Sequence, residues 1–333
     1  MLRCVAAVIV LYPALFASAQ DEYRLDDQGQ WEQLTSYDPA TPEGQLQAIR
    51  KAIAEEHGGK AVDLAGSWID RYPNHPMLVE AHLLRGDARV LEKDYFDALF
   101  DYEWVIRMYP ASEQFITALE REFKVAEIFA GGTKRKLFGL RLISAYGEAE
   151  EIFIRIQERL PGSDLGERAS IRLGDFYFDR GEMERAAEAY DLFLENYPRS
   201  RRREWAMLRL IQASLARFKG PNFDSTGLID AQERIRQYKA EFPAAAERIG
   251  ADALTNRIAD SLALKLFNTA RWYEGQGEDV SAVHVYRRLV REYPQTGAAQ
   301  DALARLEALD ERVIETDDRA TPVDDAGEPE AAS

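Results

Sequence analysis

The chain is poor in cysteine, histidine and basic charge. It has one cysteine, Cys4, four histidines, and 42 Lys and Arg against 58 Asp and Glu in 333 residues, a net charge of −16. Each scarcity excludes something. A single cysteine permits no intramolecular disulfide, and Cys4 precedes the N-terminal apolar run, where it would leave with a cleaved leader. His57, His75, His82 and His284 form no H-E-x-x-H pair, so no zinc ligands stand at the required spacing. The sequence calls for no metal and no cofactor. "GGTKRK" and "GDFYFDRG" carry glycine without the G-x-x-x-x-G-K-[ST] order that cradles phosphate, and no G-x-S-x-G elbow occurs. Carboxylates are plentiful, but in so acidic a chain they read as solvated helix faces, and no catalytic pair is assigned. The charge argues against nucleic acid, which demands a basic face. It also provides no general attraction to an anionic membrane surface.

Long apolar runs are missing except at the start. "VAAVIVLYPALFA" follows Arg3, is too short to span a bilayer comfortably, and leads into "ASAQ" with small residues Ala17 and Ala19. This predicts a secretory signal peptide over residues 1–19, cleaved after Ala19, and export of the remainder. A lipid-attachment cysteine would stand at the cleavage point, and none does. Residues 20–42 read as a loosely ordered leader. Residues 315–333, "ETDDRATPVDDAGEPEAAS", hold seven acids, one Arg and almost no large apolar residue, so they read as a disordered acidic tail.

Between these ends lies a repeat. Ala61 and Pro73, Ala98 and Pro110, Ala149 and Pro161, Ala186 and Pro198, Ala231 and Pro243, and Ala282 and Pro294 share one spacing, and an aromatic or Leu precedes each Pro. The fullest copy, "ASIRLGDFYFDRGEMERAAEAYDLFLENYP", places Leu173-Gly174, Tyr177, Ala186, Tyr190 and Pro198 in the tetratricopeptide order. Gly174 and Ala186 are small where two antiparallel helices approach. Gly181 suits a left-handed turn, and Pro198 stops the second helix. The prediction is an all-α solenoid of about six helix pairs over residues 43–314. Successive Pro positions are 37, 51, 37, 45 and 51 apart, so three intervals exceed the period of about 34. The first excess reads as an extended helix, a break at Gly131-Gly132 and a second helix. The second, "FKGPNFDSTGLID", reads as a loop with Asp224 or Ser225 as a cap. The third, after Pro243, reads as a lengthened helix.

First helices line the inner face of such a repeat. Counting from the pattern, Leu83, Asp87 and Val90 face inward in one copy and Ile171, Asp175 and Phe178 in another. They are candidates for contacting an extended peptide, with ordinary inter-repeat packing the alternative, above all for Leu83 and Ile171. Two basic clusters, Lys134 to Lys136 and Arg199 with Arg201 to Arg203, read either as compensation of helix dipoles or as docking points for carboxylates.

"AGGTKRKLFGLRLISAYGEAEEIF", "RLGDFYFDRGEMERAAEAYDLFLENYPRS", "FKGPNFDSTGLIDA" and "ARWYEGQGEDVSAVHVYRRLVREYPQT" together resemble the BamD family of outer-membrane protein assembly factors, in its tetratricopeptide form, over about residues 43–309. The resemblance implies a non-enzymatic periplasmic subunit. Its implied partners are the periplasmic domains of a BamA-like β-barrel insertase and unfolded outer-membrane proteins. It implies that the C-terminal repeats dock the insertase, which singles out the Arg- and aromatic-rich copy with Arg271, Trp272, Arg287 and Arg288; Trp272 reads alternatively as core. The family is usually lipid-anchored through a cysteine that this chain lacks at the cleavage site, so membrane association would be indirect, through the partner. A generic periplasmic adaptor of another envelope complex, and an enzyme built on the helical repeat, are the other classes weighed.

Overall fold

The computed structural model describes the secondary structure of residues 23–25, 31–33, 38–137 and 140–320, and the side chains of residues 38–133 and 144–309. The expected signal peptide, most of the leader, the side chains of Lys134 to Lys136, and residues 321–333 of the expected tail lie outside the described residues. The elements, in chain order, are β1 (Tyr23–Leu25), β2 (Trp31–Gln33), α1 (Pro42–Ala54), α2 (Gly58–Arg71), α3 (Leu78–Leu91), α4 (Tyr95–Met108), α5 (Glu113–Ala130), β3 (Lys134–Leu137), β4 (Leu140–Ser144), α6 (Tyr146–Arg159), α7 (Asp164–Asp179), α8 (Met183–Asn196), α9 (Arg203–Ala216), α10 (Thr226–Glu241), α11 (Pro243–Arg248), α12 (Ala251–Gly275), α13 (Asp279–Glu292) and α14 (Gly297–Ala320). The chain forms two compact units, Met1–Arg121 and Glu122–Ser333, with the boundary inside α5. In the first, α1 to α4 pack each on the next. In the second, α6 to α10 do the same, as do α12 to α14.

The helix-pair repeat is therefore the fold, and its mechanics follow from three residues. All six Ala side chains of the repeat are fully buried. Five of the six second helices, α2, α4, α6, α8 and α13, are 14 residues long, with the Ala at their fourth position. Each of the six ends at the residue before Pro. Tyr72, Tyr109, Leu160, Tyr197, Phe242 and Tyr293 all take φ between −126° and −132°, because the proline ring excludes helical backbone at the preceding residue. Each still donates its backbone N–H to the carbonyl four residues back, so the last turn closes before the chain leaves.

The small residue on the first helix meets the tyrosine on the second. A Cβ added at Gly86 would sit 2.3 Å from Tyr102 Cε1, and one at Gly174 would sit 2.7 Å from Tyr190 Cε1. The turn between the helices passes once through the left-handed region. Gly181 (φ +75°) and Gly277 (φ +77°) take it freely, whereas Glu56 (φ +58°) and Lys93 (φ +60°) hold the same place against the clash of their Cβ.

The structure corrects two local readings. The stretch after Gly131-Gly132 begins with an antiparallel hairpin, β3 paired with β4 and irregular between Arg135 and Lys136; the expected second helix starts only at Tyr146. "KRKLFGLRLIS" holds five bulky apolar residues and no helical stripe, and Gly139 falls between the strands. The segment after Pro243 is two helices rather than one. Pro243 opens α11, where its missing N–H has no helical partner to lose, and Gly250 (φ +66°) breaks the chain before the 25-residue α12. A two-stranded hairpin, β1 with β2, also falls within the segment read as leader. At the other end the backbone of α14 continues to Ala320, into the segment read as tail. In the second excess, Asp224 Oδ1 accepts from the Thr226 backbone N–H (3.2 Å) and hydroxyl (2.9 Å), so Asp224, not Ser225, secures the start of α10.

Two substitutions test this account by urea denaturation. Gly86→Ala should lower stability by about 1–3 kcal/mol, because the ring of Tyr102 is itself buried and must shift. Lys93→Gly should raise it by about 0.5–1 kcal/mol by relieving the left-handed residue.

Candidate interaction surfaces

The polar groups of the repeat sit where the pairs meet. In the first unit Tyr102 donates its hydroxyl to Asp87 Oδ1 (2.9 Å), and Arg121 donates to both oxygens of the same carboxylate at 2.5 and 2.8 Å. In the second unit Tyr190 donates to Asp175 Oδ1 (2.6 Å). Tyr286 donates to Glu274 Oε2 (3.2 Å), with Arg305 3.5 Å from its other oxygen. An acid on the first helix thus ties to the tyrosine on the second in three copies. Burial pushes the Tyr286 phenol up to about 12, and Glu274 adds to the shift, so the group stays a donor at neutral pH. Burial raises Tyr102 and Tyr190 in the same way, again with an acid partner adding to it.

The expected groove residues fall into this frame. Leu83 and Ile171 are buried, while Asp87, Val90, Asp175 and Phe178 are half-buried. Both oxygens of Asp87 are engaged within the protein, and one of Asp175 is. Val90 and Phe178 keep part of their surface open.

The expected docking residues lie on α12 (Arg271) and α13 (Arg287 and Arg288). Arg271, Arg287 and Arg288 are all exposed, and Arg288 pairs with Glu292 at 3.0 Å. Trp272 is 60% exposed, which removes the core reading for it. Its ring borders a recess of about 270 Å³ lined also by Pro221, Asn222, Lys265, Asn268 and Thr269. Lys265 donates to the Phe223 carbonyl and so holds the 220s loop against α12. In the second basic cluster Arg202 pairs with Glu167 and Arg203 with Glu241, within the fold.

One constellation was not anticipated. Asp101, fully buried on α4, receives Arg85 at 2.7 Å and Arg89 at 2.7 Å, and His82 Nδ1 lies 2.8 Å from its Oδ1. The His82 ring stacks on Trp104, centroids 3.8 Å apart. The signal was present: His82, Arg85 and Arg89 share one stripe of α3, and Asp101 falls on the buried Ala98–Tyr102–Val105 stripe of α4. Among the described residues no group of three or more His, Cys, Asp or Glu could hold a metal ion. No described helix is long and apolar enough to cross a membrane.

Burial pushes the Asp101 carboxyl up, but the hydrogen bonds from His82 and Arg85 and the charges of both arginines outweigh it and hold the group below its usual value. A carboxyl depressed in the folded state contributes stability above its unfolded pKa and loses it as pH falls through the folded value. The urea midpoint should therefore fall below about pH 4, and Asp101→Asn should remove that part of the acid dependence while costing up to about 3 kcal/mol at neutral pH.

Comparison with known proteins gives one family. A family model described as "YfiO: Outer membrane lipoprotein" matches residues 142–322, from the end of the β3–β4 hairpin past the end of α14. Among solved structures, the chain is similar to the C-terminal part of a TPR repeat-containing protein from Cytophaga hutchinsonii, at 12% identity and TM-score 0.39, covering 79% of this chain and 88% of that one. A tetratricopeptide repeat protein from Parabacteroides merdae is similar at 13% identity and TM-score 0.37, covering 80% and 98%. PilW, a type IV pilus biogenesis factor, is similar at 15% identity and TM-score 0.30, covering 79% and 98%. At those scores the fold rests on the helix pairs of this chain itself. No curated protein matches the chain.

Proposed function

The chain belongs to the YfiO family of outer membrane lipoproteins, and on that premise we propose that it is a non-catalytic scaffold of BamD type, serving the machinery that folds β-barrel proteins into the outer membrane. It acts on the periplasmic side of that membrane. Its principal partner is the periplasmic domain of a BamA-like insertase. The observation that carries this reading is the exposed Arg271, Trp272 and Arg287 on α12 and α13, inside the family-matched residues. Arginine and tryptophan dominate the energetics of protein interfaces. They bury large surface and make directed polar contacts while losing little side-chain entropy for each.

Unfolded barrel segments are the second partner. In the first unit they lie along the open edge of Val90 beside Asp87 and Leu83; in the second unit they lie along Phe178 beside Asp175 and Ile171.

Affinity purification from the native envelope tests the reading. The expected copurifying species is a β-barrel insertase. The Arg271→Glu, Arg287→Glu, Arg288→Glu variant should keep its helical content by circular dichroism. It should lose at least about tenfold in yield of that partner, with the wild-type association slowing as salt is added. Undiminished yield from the folded variant would move the docking surface elsewhere. Purification of a different envelope complex would assign the scaffold to that complex.

A further inference from the structure

Arg209 on α9 is half-buried and held by aromatic rings rather than by an acid. Its guanidinium carbon lies 4.3 Å from the ring centroid of Phe178 and 4.4 Å from that of Trp205, so two aromatic rings flank it. Its Nε is enclosed and has no hydrogen-bond acceptor. Its one polar contact is Nη1 to Gln212 Oε1 at 3.5 Å, the outer limit of a hydrogen bond. Among the described residues no carboxylate lies within ion-pair distance of it. Arg180, Arg185, Arg203, Arg217, Arg234 and Arg248, by contrast, all have one.

The comparison within the repeat sharpens this. Arg121 and Arg209 each follow an acid of the preceding repeat, Asp87 and Asp175, by 34 residues. Arg121 closes on Asp87 with two hydrogen bonds. Arg209 does not reach Asp175, whose Oδ1 takes the Tyr190 hydroxyl. It turns instead to the rings of Phe178 and Trp205. A guanidinium stacked in this way is partly desolvated and fixed in orientation while its charge is unanswered. A carboxylate supplies what is missing, since it accepts charge-assisted hydrogen bonds from such a fork. Trp205 is 44% exposed, so its outer face is open to an apolar side chain beside that carboxylate.

We propose that Phe178, Trp205 and Arg209 form a site that reads an acidic residue in an extended segment of a partner protein. The Asp or Glu side chain lies on Arg209, and an adjoining apolar side chain lies on Trp205. The site rests on the scaffold reading above and names the chemistry of the segment it holds. The chain's own tail is a poorer match, because residues 315–333 hold seven acids but Val323 is their one aliphatic residue larger than Ala after Ile314 and they contain no aromatic to cover Trp205. General attraction of acids does not account for such binding either, since the chain carries −16. A preference for acid must come from a local cation.

The test is selection of a displayed random dodecapeptide library on the purified full chain. Enriched peptides should contain Asp or Glu next to an aromatic or aliphatic residue. Arg209→Gln, with helical content unchanged, should weaken their binding at least about tenfold. Trp205→Ala should relax the apolar neighbour while keeping the acid. Absence of any enriched set, acid preference that persists in Arg209→Gln, or a synthetic peptide of residues 315–333 that binds as tightly and with the same Arg209 dependence would each overturn the proposal. Loss of the insertase from envelope purification, with peptide selection intact, would overturn the scaffold's assigned complex and leave this site standing.

Discussion

The close approach of the two helices in each pair is the contact on which the rest of this protein depends. Tyr102 can lie across Gly86, and Tyr190 across Gly174, only because neither glycine has a Cβ. The buried Ala four residues before each tyrosine keeps the second helix equally close. That spacing brings the phenol hydroxyl to the first helix, where Asp87, Asp175 or Glu274 receives it. The proline then ends the second helix at one register, so the next first helix begins where it can pack on the last. Removing the small residue would displace the ring, the hydrogen bond and the register together.

Charge in this protein is organised by the same contact. Asp101 is fully buried and answered by two arginines beside His82. Asp87 is answered by a tyrosine and an arginine from the following repeat. Buried pairs of this kind contribute little net stability beyond an apolar filling, but an unanswered one is costly, so they select the register in which each charge finds its partner. Asp101 and Asp87 are thus answered within the fold. Arg271, Trp272, Arg287 and Arg288 on α12 and α13 are exposed, and Arg209 lies over two aromatic rings.

The legible parts of the fold were those set by neighbours in sequence. Ala186 to Pro198 is one helix, and its Ala, Tyr and Pro report its buried face and its end without reference to anything distant. The hairpin of β3 and β4 was missed because eleven residues between two helices carry no repeat signal. Gly139 and the run of bulky apolar residues were the only hints. The break at Gly250 was hidden in an Ala-rich stretch of high helix propensity, where a single left-handed glycine outweighs its neighbours. Arg271, Arg287 and Arg288 were legible as surface because arginine is rarely fully buried and none of the three stands at a packing position of the repeat. Trp272 was not, since it adjoins the half-buried Tyr273 and only packing reveals which of two adjacent aromatics turns outward.

By itself the sequence determined the helix-pair repeat, its six buried alanines, its helix stops and its acidic surface, because each depends on a side chain's effect on its own backbone or on a neighbour one turn away. Tertiary structure alone decided how the charges are partnered. Asp101 reaches across to α3, Asp87 across to α5, and Arg209 rejects Asp175 for two aromatic rings. Those choices join residues of different helices, and a difference of an ångström in packing determines whether a guanidinium closes on an acid or is left to meet a partner.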